Sequence, residues 1–324
     1  NTRFDRLNDM NTTTSKGTYR QFVSTIGKES YNDMTGKLGF SYMINDLHSI
    51  GAYYQNSWNR HNTDGTIPSE IWQDGILLDL YNSDVHNQST AVPRHYANIY
   101  YNGIVGKLNI DFNADYIWYK SRELTFNNEL SEMGNDREVN TSSINRNRMF
   151  AEKLVMTYPL WKGQIEIGEE YTNTRTTNLF SANIPETPNA DNRVDENNIA
   201  VFAELGQQFG RFMIGAGLRY EHVKFNYYEM GLLRDGQSKT YNNIFPSLNI
   251  ATQVGKVRMG LNYTGKTIRP GYDQLDGAIS YINRLTYETG NPYLKPTKLQ
   301  SVEYMAQWRR FFAQLSFTYF KDGV

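Results

Sequence analysis

The string best suited to chemistry is Gly260-Leu261-Asn262-Tyr263-Thr264-Gly265-Lys266-Thr267, with glycines, lysine and threonine at the spacing of a phosphate-binding loop. Such a loop needs a buried strand before it and an amphipathic helix after it, so that backbone amides and a helix N-terminus converge on phosphate. Here Val257, Met259, Leu261 and Tyr263 alternate straight through the motif, and Ile268-Arg269-Pro270-Gly271 stands where the helix would start. The setting predicts a strand, not a nucleotide site. The five histidines, His48, His61, His86, His95 and His222, have no metal-ligand spacing. Asp191, Asp195 and Glu196 lack the regular oxygen spacing of a calcium loop and read as a solvated loop. Glu169 and Glu170 are neighbours on an expected strand and so point to opposite faces, which argues against a paired acid and base. No local nucleophile signature exists and the chain has no Cys. No catalytic, cofactor-binding or metal-ligating residue is therefore assigned, and the chain is not expected to be an enzyme.

The elements that must carry these residues are strands. From Leu108 to Trp118 every second residue is apolar or aromatic, with Asn109, Asp111, Asn113 and Asp115 between them. Such a strand is greasy on one face and wet on the other. The pattern recurs as about twelve strands in six hairpins, each hairpin closed by a very short turn. The turns fall at Asn45 to Leu47, Gly103 to Lys107, Pro159 to Gly163, Gly206 to Gly210, Gln253 to Gly255, and Trp308 to Arg310. Long polar loops are expected between the hairpins, near 1–33, 61–93, 121–146, 176–196, 228–242 and 268–296. Alternation of short turns with long loops is the mark of an all-β, antiparallel transmembrane β-barrel with its short turns in the periplasm. Aromatics near both strand ends, with Tyr116, Trp118 and Trp58 above and Tyr158, Trp161 and Trp308 below, fit two interfacial girdles.

Composition narrows the class further. With 33 basic and 34 acidic residues among 324, no field for a polyanion is present and nucleic acid is not an expected partner. No apolar run is long enough for a membrane-spanning helix. A barrel escapes that test because half of each strand is polar. Lys37, Asn109, Asp111, Asp115, Arg219, Glu221, Arg258 and Lys266 fall on the polar faces and are expected to line a lumen. Trp58, Trp72, Tyr81, Tyr281 and Tyr293 are the aromatic candidates for holding a ligand near the loops. With short turns in the periplasm, the chain starts and stops on the outer side, and a lone arc would leave two sheet edges in hydrocarbon. Residues 1–324 are thus expected to be the middle of a larger barrel, with its first and last strands absent.

Gly217-Leu218-Arg219-Tyr220-Glu221 followed by Phe245-Pro246-Ser247-Leu248 resembles the barrels of TonB-dependent outer-membrane receptors, particularly the large Bacteroidetes group. The resemblance continues in Arg269-Pro270-Gly271-Tyr272, Leu275 and Gly290-Asn291-Pro292-Tyr293-Leu294-Lys295-Pro296. It implies that Arg269, Pro270, Gly290, Asn291, Pro292 and Pro296 bracket one late outer loop of a barrel of about 22 strands closed round a plug. It also implies import of a bulky nutrient such as a glycan, peptide or metal complex, without any cofactor. The implied partners are outer-membrane lipid and lipopolysaccharide, the protein's own plug and the TonB complex, with a surface lipoprotein as a further candidate. A structural or assembly barrel of a surface complex and a passive pore are the alternatives. Neither a plug nor a TonB-binding segment is recognisable in these residues.

Overall fold

A computed structural model describes residues 2–90, 93–284 and 286–322. Strands account for nearly all of it. The first six are β1 (Thr2–Thr14), β2 (Gly17–Asn45), β3 (His48–Gln73), β4 (Ile76–Thr90), β5 (Arg94–Val105) and β6 (Leu108–Ser131). The next five are β7 (Arg137–Leu160), β8 (Gly163–Ala182), β9 (Ala190–Phe209), β10 (Phe212–Glu229) and the short β11 (Leu232–Leu233). The chain continues through β12 (Lys239–Val254), β13 (Val257–Ile268), β14 (Ile279–Asn283), β15 (Thr286–Thr289), β16 (Thr297–Trp308) and β17 (Phe311–Lys321). All but β14 and β15, which form their own hairpin, belong to one antiparallel sheet.

The six expected hairpins are present as β2–β3, β5–β6, β7–β8, β9–β10, β12–β13 and β16–β17. Their turns are tight enough that Gly106, Gly210 and Gly255 take positive φ, as do Trp161 and Arg309 at the cost of some strain. The phosphate-loop string lies within β13, paired on both sides by β12 and β16. It opens no helix.

The spans expected as long loops are largely strand. Residues 1–33 hold β1 and the upper half of β2, residues 61–93 hold the end of β3 and all of β4, and β6 to β9 extend through 121–131, 137–146, 176–182 and 190–196. The reason is physical. Above the bilayer neither face of a strand meets lipid, so apolar alternation fades while backbone pairing continues undisturbed. β4 and β5 share one lane of the sheet: β3 pairs with β4 through His61–Gln73 and with β5 through His48–Ser57. Pro93, which has no amide hydrogen to donate, stands at the break between them.

Register makes the two faces continuous. Ile50, Tyr101, Phe112, Leu154, Glu169, Val201, Tyr220 and Ile244 form one cross-strand row, and all but Glu169 are apolar or aromatic. Many side chains on this face are open, among them Leu38, Phe40, Ile99, Ile167, Val201 and Leu218. Such an exposed apolar band would be an aggregation liability in water and is the lipid-facing belt of a barrel. The short turns are also staggered. His48 pairs with Gly103, two residues short of Val105, and Asn109 pairs with Thr157, three short of Leu160. Gly163 pairs with Gln207, two short of Phe209, and Phe212 pairs with Thr252, two short of Val254. A steady offset of this kind is how tilted strands keep their turns level on a barrel wall. The sheet path runs from β1 to β17 without closing, and β17 and residues 31–44 of β2 are exposed throughout.

Candidate functional site

The site is built on the polar face, where the extended strands meet the segment between β13 and β16. Alternation puts Val194, Glu196 and Asn198 of β9 on that face, and register places Glu221, Val223, Phe225 and Tyr227 of β10 beside them. Residues 269–284 and 286–296 fold down onto this surface. Leu275 packs with Val194, Phe225 and Tyr227 in a small buried cluster, joined by Tyr272 and Leu294. This is a clamp of apolar side chains on a face that is otherwise wet.

Polar fastenings extend the clamp in both directions. Arg269 Nη2 donates to Glu221 Oε1 at 2.6 Å, and Asn198 Nδ2 donates to the same oxygen at 2.9 Å. Asn192 Nδ2 donates to Asp276 Oδ1 at 2.6 Å, and the Gly277 amide donates to the Tyr227 hydroxyl at 3.3 Å. Four lanes away on β6, Glu129 is fully buried and accepts from the Tyr281 hydroxyl at 2.5 Å and from Arg284 Nε at 2.8 Å. Arg284 also donates to the Asn135 carbonyl at 2.8 Å, lies 3.6 Å from Asp79 and sits over the Tyr81 ring. A buried carboxylate is tolerable only when paired and hydrogen-bonded in this way.

The motif at 290–296 has a steric origin. A β-carbon on Gly290 would lie 2.4 Å from the Asp276 carbonyl oxygen, 2.6 Å from that of Gln274 and 2.8 Å from that of Asp273. Only glycine fits. The Asn291 amide donates to the Gln274 carbonyl at 2.6 Å, and its side-chain oxygen accepts from the Tyr293 amide at 3.0 Å, so Gly290-Asn291 staples the loop to itself. Arg269, Pro270, Pro292, Leu294 and Pro296 then face Glu196, Val223, Phe225, Lys239 and Tyr241 across a narrow cleft with a cavity volume of about 20 Å³. Burial raises the Glu196 carboxyl above its ordinary range, against the pull of Arg269 and with a push from Glu221. Burial also drives the Tyr272 phenol up to about 12, and burial with the Glu129 bond drives Tyr281 up as well.

Register sets all eight lumen candidates on the polar face. Arg219 Nη2 and Lys153 Nζ both reach Glu170, at 2.5 and 2.9 Å, and Glu221 holds Arg269. Asp115 accepts from Tyr96 at 2.6 Å and from Asn98 at 2.7 Å, while Lys37 stands over the Tyr53 ring at 3.8 Å. Asp111 accepts from Asn113, Arg258 reaches Gln253, and Asn109 and Lys266 lie opposite Thr157 and Leu299. Among the aromatic candidates, Tyr81 and Tyr281 meet at the Arg284–Glu129 knot, and Tyr293 at the far end of the loop receives Gln237 on its hydroxyl and Lys239 on its carbonyl. Trp58 and Trp72, by alternation, stand on the opposite, outward face. Asp191 to Glu196 is strand rather than a solvated loop, so Asp195 and Glu196 face apart and Asp195 is taken by Arg175 at 2.5 Å. Glu129, Asp79 and Arg284 were not among the residues expected from sequence, and no motif marks them.

Residues 105–323 match the outer membrane protein beta-barrel family. The chain belongs to that family. As a member it is a bacterial outer-membrane β-barrel protein, and its open apolar face is the face that meets lipid. Solved structures agree in fold. The copper transporter OprC aligns over 98% of this chain and 51% of its own length, with a TM-score of 0.51 and 12% identity. The ferric citrate transporter FecA in its unliganded form aligns over 96% of this chain and 50% of its own, with a TM-score of 0.50 and 12% identity. The chain thus spans about half the length of these barrels. No curated protein matches it.

Proposed function

We propose that this chain is the central arc of an active-transport receptor of the TonB-dependent type, importing a bulky nutrient such as a glycan, peptide or metal complex. Residues 1–324 form part of the barrel wall, with the long hairpins outside the cell and the short turns in the periplasm. Further strands pair with β17 and the lower half of β2, whose backbone groups would otherwise be unsatisfied in hydrocarbon. The likeness in fold to two metal-related transporters and the succession of motifs from Gly217 to Pro296 support this reading.

One observation supports it: residues 269–284 are folded inward over the polar face and fastened at both ends, by Arg269 to Glu221 and by Arg284 to Glu129. An inward loop held by ion pairs narrows the path along the polar face. A receptor that admits cargo only on demand needs such a loop. The cleft beneath the loop, lined by Arg269, Lys239 and Glu196 among Tyr241, Phe225 and three prolines, encloses only about 20 Å³, so these groups seat the loop on the wall rather than hold cargo. The test is growth of a deletion strain on defined nutrients, together with a liposome-swelling assay on the full-length protein. A nutrient-specific growth defect without swelling is expected. Free swelling by small neutral sugars would overturn the reading in favour of a pore.

A further inference from the structure

We infer that the wall at the top of β4 and β6 carries a binding site for a small guanidinium solute, a site that the loop's own Arg284 fills when the loop is down. The wall meets that guanidinium on every nitrogen. Arg284 Nε donates to Glu129 Oε2 at 2.8 Å, and Nη2 donates to the Asn135 carbonyl at 2.8 Å and to the Glu129 carbonyl at 3.3 Å. Nη1 lies 3.6 Å from Asp79 Oδ2, and the guanidinium carbon stands 5.3 Å from the centre of the Tyr81 ring. These partners come from β4, β6 and the turn after β6. The loop adds the Tyr281 hydroxyl, which donates to the other oxygen of Glu129.

The second observation is that the wall holds this shape through its own bonds. The Ser131 hydroxyl lies 2.8 Å from both oxygens of Asp79, and the Met133 amide donates to one of them at 3.2 Å. The Gly134 amide donates to the Ser131 hydroxyl at 2.7 Å, and the Ser131 amide to Asp136 at 3.0 Å. Asn127, only 5% exposed, gives its side-chain amide to Glu129 at 3.1 Å, while its Oδ1 has no partner among the described residues. A buried acceptor left open beside a buried carboxylate is a place for one more N–H.

Lifting the loop therefore takes away the cation and leaves both carboxylates in position. Arg137 stands directly opposite Glu129 in the register, yet it is drawn to Glu186 at 2.9 Å and lies over the Tyr281 ring. A carboxylate in such a place is costly without a partner, so a cation that enters as Arg284 leaves is favoured. The geometry selects a guanidinium over an ammonium. A planar fork reaches Glu129, Asp79 and the Asn135 carbonyl at once with its face towards Tyr81, whereas a compact ammonium cannot span them. The site belongs to the wall and stands whether or not the barrel imports a nutrient.

The test uses the full-length protein in neutral detergent, with ethylguanidinium as the probe and ethylammonium as its control. Arg284→Ala, which empties the site, should bind ethylguanidinium saturably by calorimetry and more tightly than ethylammonium by about ten-fold or more. Bound probe should also restore the protection from hydrogen exchange at 129–136 that Arg284→Ala loses. Adding Glu129→Gln should abolish both effects. If Arg284→Ala does not assemble, the parent decides: ethylguanidinium should compete with Arg284 and raise exchange across 279–284 and 286–289, and ethylammonium should not. Absence of saturable binding, as when Arg137 closes over Glu129, or an equal response to the two cations, would overturn the inference.

Discussion

Glu129 illustrates how a single residue can fasten an element far away in sequence. It is fully buried on β6, and its oxygens are divided between Tyr281 and Arg284. Truncation leaves a guanidinium in a place built for a pair, which costs about 3 kcal/mol of loop closure. Glu129→Ala should therefore raise hydrogen exchange across 279–289 strongly, with Glu129→Gln in between; unchanged exchange would show that the apolar clamp at Leu275 suffices alone. Glu196 acts with the opposite sign. Burial raises its carboxyl, so the folded cleft holds the proton more tightly than the open chain does. Closure is then favoured at low pH and weakens as pH rises from the ordinary glutamate value of 4.5 through the raised one. Dye accessibility at Tyr293→Cys should increase over that window, and Glu196→Gln should remove the increase.

At the scale of the element, the loop between β13 and β16 is shaped by one glycine and held by the ion pairs of Arg269 and Arg284. Gly290→Ala forces a β-carbon against three backbone carbonyls, none of which can rotate away, so the Gln274–Asn291 staple should open at a cost of about 3 kcal/mol or more. Gly236→Ala, where the nearest atom lies 3.8 Å away on the Tyr293 ring, is the matched control. Limited proteolysis of the assembled protein should cut within 271–293 in the first variant and not in the second. Equal resistance of both would mean that the turn can be redrawn without its glycine. Strand length teaches a related lesson. Leu108 to Trp118 announce β6 by strict alternation, whereas from Arg122 to Ser131 the pattern is broken, with Leu124, Phe126 and Leu130 apolar but Arg122 and Asn128 on the same face. Once both faces are wet, side-chain polarity no longer records that the backbone is still paired.

At the scale of the whole molecule, stability divides between lipid outside and ion pairs inside. Leu218 and Arg219 are neighbours on β10, one exposed on the apolar face and the other held by Glu170. Leu218→Arg should cost about 2–4 kcal/mol near the bilayer midplane. It should show as loss of the heat-modifiable folded band on cold electrophoresis, while Arg219→Leu leaves that band and loosens only the Glu170–Lys153 group. If Leu218→Arg assembles normally, the apolar face is not the one against lipid.

Sequence alone determined the lane structure of this protein. Period-two alternation, six tight turns and the lack of a helical run fixed twelve membrane-crossing strands, the two faces they present and the polar face of Lys37, Asp115, Arg219 and Glu221, because a strand's side-chain geometry is local. The motifs at Arg269 and Gly290 marked one loop as special without saying where it goes. Only the tertiary structure decided that the loop turns inward, that Arg284 finds Glu129 from more than a hundred residues away, and that Tyr81 meets Tyr281 while Trp58 and Trp72 face outward. It also decided how far each strand is offset from the next, as in His48 against Gly103 and Phe212 against Thr252, and stagger is a property of pairing between lanes that no single strand contains.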